Sequence, residues 1–84
     1  MALKEKLEEV TTELGLEYIR SDISRDHLEN GVPSWLISVD YFNEGKHYQS
    51  TWTIAKQNGM SEDEIATVVK SYLNAENFLG IDVE

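Results

Sequence analysis

No cysteine occurs in the 84 residues, so neither a disulfide framework nor a thiolate metal site is available. Proline is almost absent, with Pro33 standing alone, so little interrupts regular helices and strands. No apolar run approaches the ~20 residues of a membrane span. The opening MALKEKLEEV also lacks the apolar core of a secretory leader. A soluble cytoplasmic protein with no membrane partner is the expectation. Bases are scarce too. Seven Lys and Arg face sixteen Asp and Glu, for a formal net charge of −9. A field of that sign repels nucleic-acid phosphates and attracts basic surfaces.

What is present centres on Ser34 to Ala55, SWLISVDYFNEGKHYQSTWTIA, two alternating arms around a tight turn at Asn43-Glu44-Gly45-Lys46. Pairing Asn43 with Lys46 sets Tyr41 against Tyr48, Ile37 against Trp52 and Trp35 against Ile54. A slip of one residue would turn one arm's large side chains to the opposite face. A two- or a four-residue loop preserves this register. The hairpin then has a heavy face of Trp35, Ile37, Val39, Tyr41, Tyr48, Trp52 and Ile54. Its lighter face carries Leu36, Ser38, Asp40, Phe42, His47, Gln49, Thr51 and Thr53. The shared face of the aromatics makes them core rather than a ligand-stacking platform.

An isolated hairpin is marginal in water, and the flanks supply its cover. Ala2 to Leu14 reads as an amphipathic helix with Leu3, Leu7, Val10 and Leu14 on one stripe and Gly15 after its end. Leu16 to Ser24 reads as a charged edge strand, and Arg25 to Pro33 as the longest loop. Ser61 with Glu64 forms a capping box, and Ile65, Val68, Val69, Tyr72 and Leu73 give the second helix a broad apolar face. Asn74 to Glu76 extends that helix toward a stop at Gly80. The fold class is α+β in the order α-β-β-β-α: a three-stranded antiparallel meander with two helices packed on one face. Residues 1–84 form a single domain, with 75–84 read as a loosely ordered tail in which Phe78, Leu79 and Ile81 pack back or stay available to a partner.

This order resembles the double-stranded RNA-binding domain. Gly59-x-Ser61 before the last helix, followed by Val68-Val69, is similar to that family's helix entry and small apolar positions. Asp26-His27 is similar to its histidine-containing loop. The resemblance implies the fold. Where the family grips phosphates with lysines, this chain has Glu62, Asp63 and Ala66, and affinity for a phosphate backbone rises with the number of cationic contacts. The spacing after His27 is also longer than the family's. RNA or DNA binding is therefore not expected.

Catalytic signatures are missing. There is no G-x-S-x-G and no glycine-rich phosphate loop before a helix. Carrier proteins share the size and acidity, but they are all-helical and need a serine in an Asp-Ser-Leu setting. His27 lies among Asp26, Glu29 and Asp22 without regular ligand spacing, and His47 lies near Asp40 and Gln49 on the lighter face. No catalytic residue, metal ligand or cofactor is expected, and the chain is read as not an enzyme. Its charge is placed unevenly. Met1 to Asn30 holds eight acids and four bases, Gly31 to Met60 two of each, and Ser61 to Glu84 six acids and one base. The expected function is a small acidic protein-binding module that meets a basic protein surface. A phage or mobile-element inhibitor of the anti-restriction or anti-CRISPR kind, filling a nucleic-acid-binding groove on a host enzyme, is the concrete form. The candidate contact residues are Glu5, Glu9 and Glu13 with Glu62, Asp63 and Glu64. The alternative is an adaptor that forms a homodimer or binds a peptide through Leu36, Phe42, Thr51 and Thr53, or through the third-strand edge.

Overall fold

The computed structural model describes residues 3–76 and 80–82. Helix α1 spans Leu3–Glu13, followed by strands β1 (Glu17–Glu29), β2 (Val32–Asn43) and β3 (Lys46–Ala55). A single 3₁₀ turn at Lys56–Asn58 leads into helix α2 (Glu62–Ala75), and a two-residue strand β4 (Ile81–Asp82) follows. The strands lie in the order β1-β2-β3-β4, each antiparallel to its neighbour. The α-β-β-β-α arrangement is thus present, with β4 added to the far edge.

Two tight turns build the meander. Asn30 and Gly31 have φ of 54° and 81°, and Glu44 and Gly45 have 53° and 82°. Positive φ at both central residues is the signature of the two-residue turn whose twist matches the flanking strands. The second turn sets Asn43 against Lys46 and, with it, Tyr41 against Tyr48, Ile37 against Trp52 and Trp35 against Ile54. The first turn is a correction. Arg25 to Pro33 is not a loop, because β1 runs to Glu29 and β2 begins at Val32. Two register shifts in β1, between Tyr18 and Arg20 and between Ser24 and His27, interrupt its alternation. Pro33 is tolerated because β3 ends opposite Ser34, so the missing N–H faces no strand on that side.

Strand β2 is paired along both edges, and its Ile37, Val39 and Tyr41 are fully buried. They meet Leu3, Leu7 and Leu16 from the N-terminal segment, Ile54 from β3, and Ile65, Val69 and Leu73 from α2. Trp35, Tyr48 and Trp52 are half-buried and pack against this core. Trp52 stacks on Tyr72, with ring centroids 6.0 Å apart. Trp35 has the Arg25 guanidinium 4.9 Å and the Lys56 ammonium 5.4 Å from its ring centre.

The α1 stripe differs from the expected one. The fully buried line is Leu3, Leu7 and Thr11, whereas Val10 is half-buried and Leu14 lies beyond the helix. Thr11 is tolerated there because its hydroxyl donates to the Leu7 carbonyl at 2.7 Å. On α2 the buried line includes Ala66, while Tyr72 is exposed at the rim. Two ion pairs tie the helices: Lys6 with Asp63, and Lys70 with Glu13 at 3.2 Å. Both join residues 57 positions apart, so α1 and α2 run side by side in the same direction.

Helix α2 starts as expected, with Ser61 Oγ accepting from the Glu64 N–H and Glu64 accepting from the Ser61 N–H. It ends at Ala75, and Glu76 is its C-cap, so the expected extension to Glu76 stops one residue short. Within the expected tail, Ile81 and Asp82 pair with Gln49 and Tyr48. Phe78 and Leu79 lie outside the described residues.

Candidate functional site

The six candidate acids occupy the outer side of α1 and the first turn of α2, but three of them are already engaged. Asp63 bonds Lys6, Glu13 bonds Lys70, and Glu62 reaches Arg25 of β1 at 3.9 Å. The Lys6 hydrogen bond holds the Asp63 carboxyl below its usual range, and the same bond pushes the Lys6 ammonium up. Glu64 uses one oxygen on Ser61. Glu5 and Glu9 are exposed and form no ion pair among the described residues. All three engaged pairs are solvated, so each contributes little to stability.

Two hollows lie among these acids. A groove of about 330 Å³ between the helices is lined by Glu9, Glu13 and Asp63 with Lys6, Val10 and Ala66. A second, of about 310 Å³, lies at the start of α2 and has Met60 and Val68 as its apolar lining and Asp63, Glu64 and Thr67 around them. Asp63 and Thr67 belong to both, so the hollows adjoin. Glu5 and Glu62 line neither. Charge reading found the acids but missed Met60, Thr67 and Val68. Met60 was nonetheless legible, because an apolar residue just before the N-cap that meets one at the fourth helical position, here Ile65, is a hydrophobic staple.

The lighter sheet face is less open than its composition suggests. Thr51 and Thr53 are exposed, but Leu36 and Phe42 are half-buried and Asp40 is only 3% exposed. Asp40 accepts from Gln49 at 3.0 Å, lies 3.2 Å from His47 Nε2 and 3.5 Å from Arg20 Nε. Phe42 contacts the His47 ring at 5.5 Å, and the Thr51 and Ser38 hydroxyls are bonded at 3.1 Å. A carboxylate buried with a cation and two further polar partners ties three strands together. The third-strand edge needs a correction, since β4 covers it at Tyr48 and Gln49. His27 lies on β1 rather than in a loop, 2.9 Å from Glu29. Among the described residues no three His, Asp or Glu side chains converge as metal donors, and no helix is long and apolar enough to cross a membrane.

Under the sheet, Glu76 accepts from Ser50 Oγ at 2.8 Å and from Trp52 Nε1 at 3.1 Å, and Ser50 is 3.2 Å from the Tyr41 hydroxyl. Burial pushes the Tyr41 phenol up from its ordinary value of 10.0, more than the Ser50 bond lowers it. The folded state therefore keeps the Tyr41 proton more tightly than the unfolded chain does. That contribution is complete below pH 10 and is lost as pH rises through the higher folded value. Thermal melts between pH 8 and 11 are expected to show this decline in the native chain and a shallower one in Tyr41→Phe. Equal slopes would remove Tyr41 from the account.

Comparison with protein-family models, with curated proteins and with solved structures gave no match. The element order is that of the double-stranded RNA-binding domain. The β1–β2 connection, however, is the two-residue Asn30-Gly31 turn, so Asp26 and His27 stand on a strand where that family has a loop.

Proposed function

We propose that this chain is a small non-enzymatic protein-binding module that engages a basic surface of a partner through its helical layer. The cytoplasmic form envisaged is an inhibitor of the phage or mobile-element kind, occupying a nucleic-acid-binding groove on a host enzyme. The observation that carries this is the pair of adjoining acid-rimmed hollows on the two helices. The helices hold seven of the sixteen acids against three bases, two of which are spent on the interhelical pairs. Direct nucleic-acid binding is not part of this reading, because the start of α2 offers carboxylates where a phosphate backbone needs cations. The charge is not confined to the helices, since β1 carries Glu17, Asp22, Asp26 and Glu29. Those four lie along an edge strand, where charge also discourages stray pairing.

Capture of partners on the immobilised protein, compared with a Glu62→Lys/Asp63→Lys/Glu64→Lys variant, tests this. Retention is expected to fall by about a hundredfold in the variant. It should also fall steeply as salt rises from 0.05 to 0.5 M, because the screening length of exposed charges shortens from about 14 Å to about 4 Å. Retention that survives both changes overturns the proposal.

A second reading has the sheet face binding a peptide or another copy of the chain. A hollow of about 390 Å³ lined by Leu36, Ser38, Thr51, Asp22, Ser24 and Lys4 favours it. A dimer that forms with concentration and dissociates on Phe42→Asp would move the site there.

A further inference from the structure

We infer that the hollow at the start of α2 receives a single apolar side chain from a lysine- or arginine-rich helical segment of the partner protein. This rests on the proposal that the partner surface is basic, and it names the element that does the docking. Met60 and Val68 give the hollow an apolar lining, while Asp63 and Glu64 set carboxylates around it. Methionine is unbranched and adapts to the shape of an inserted group. An apolar lining inside an acidic rim matches an apolar anchor flanked by cations. It does not match a simple polycation, which has no use for the lining. The adjoining groove supplies the second half of the match. Glu9 and Glu13 lie along it beyond Asp63 and Thr67. Residues three or four apart share one side of a helix. A partner helix that seats its anchor between Met60 and Val68 and crosses into this groove presents its cations to Glu9, which forms no ion pair among the described residues, and to Glu13 and Asp63, where they compete with Lys70 and Lys6. Recognition of this kind is helix-in-groove, with the anchor giving specificity and the charges giving encounter rate.

The test uses two synthetic probes, a lysine- and alanine-rich helical peptide with one central leucine and the same peptide with that leucine replaced by alanine. Each is titrated at low salt into the isotopically labelled full chain and followed by NMR. The leucine peptide is expected to bind roughly tenfold tighter or more, through the extra methylenes removed from water. Its shifts should centre on Met60, Asp63, Glu64, Thr67 and Val68. Met60→Ser is expected to bring the leucine peptide down to the alanine peptide's affinity and to leave the alanine peptide unchanged. If Met60→Ser perturbs folding, Thr67→Lys, on an exposed position of the rim, must weaken both peptides. Equal binding of the two probes overturns the inference while leaving the basic-surface proposal standing. Binding of neither probe overturns both. Shifts confined to the lighter sheet face overturn the inference in favour of the other surface.

Discussion

Ile37→Ala is expected to destabilise the domain by about 3 kcal/mol, within the roughly 2–5 kcal/mol typical of large-to-small changes in a core. Ile37 is fully buried on β2, opposite Ile23 on one side and Trp52 on the other, with both helices contributing to the cluster around it. Neighbours fixed from both sides cannot close over the space left by the lost methyls. Against the ~5–15 kcal/mol that holds a domain together, this is a large fraction. At this size each kcal/mol moves the melting temperature by about 4–8 °C, so a drop of roughly 12–24 °C should be seen. Thr51→Ala, on the opposite face and exposed, should stay within about 1 kcal/mol despite its hydroxyl contact with Ser38. Similar costs at the two positions would mean that the faces have been assigned wrongly.

Gly80→Ala is expected to lose about 1–3 kcal/mol through overpacking. A Cβ on Gly80 would collide with Ser50 Oγ and stand 2.6 Å from the Gln49 carbonyl oxygen. That carbonyl sits in β3, whose register with β2 is continuous from Ser34 to Asn43, so it has little room to give. The segment carrying β4 must move instead. Amide exchange at Gln49, whose N–H points away from β2 toward β4, is expected to accelerate by at least tenfold, while Tyr48, whose N–H pairs with Tyr41, and the β1–β2 amides keep their protection. Ser50→Ala in the same chain should rescue only partly, because it removes the hydroxyl but not the carbonyl. Unchanged exchange at Gln49 would show that β4 contributes nothing to that edge.

Legibility in the sequence followed the range of the interaction. The second hairpin could be read because strand alternation and the Glu44-Gly45 turn agree within about twenty residues, and the Ser61 capping box could be read because it spans four. The first hairpin was obscured although its Asn30-Gly31 turn was in view. The two register shifts in β1 each move the alternation by a residue, so His27 to Glu29 did not look like a continuation of Leu16 to Ser24. Thr11 escaped because hydropathy does not register a hydroxyl satisfied by its own helix. Asp40 escaped because its burial depends on Arg20, which the meander brings in from another strand. Of the candidate site, the acids could be read and their pairing could not. Lys6 with Asp63 and Lys70 with Glu13 bridge 57 residues, a separation at which only the complete topology says who meets whom.

That equal separation also bears on how the chain reaches its native state. The two hairpins close through two-residue turns and need only local encounters, on the order of microseconds each. The interhelical contacts cannot form until an odd number of strands has carried the chain back to the end from which α1 set out. The docking of α1 beside α2 therefore carries a larger loop-closure entropy than either hairpin, because its contacts span 57 residues rather than a two-residue turn.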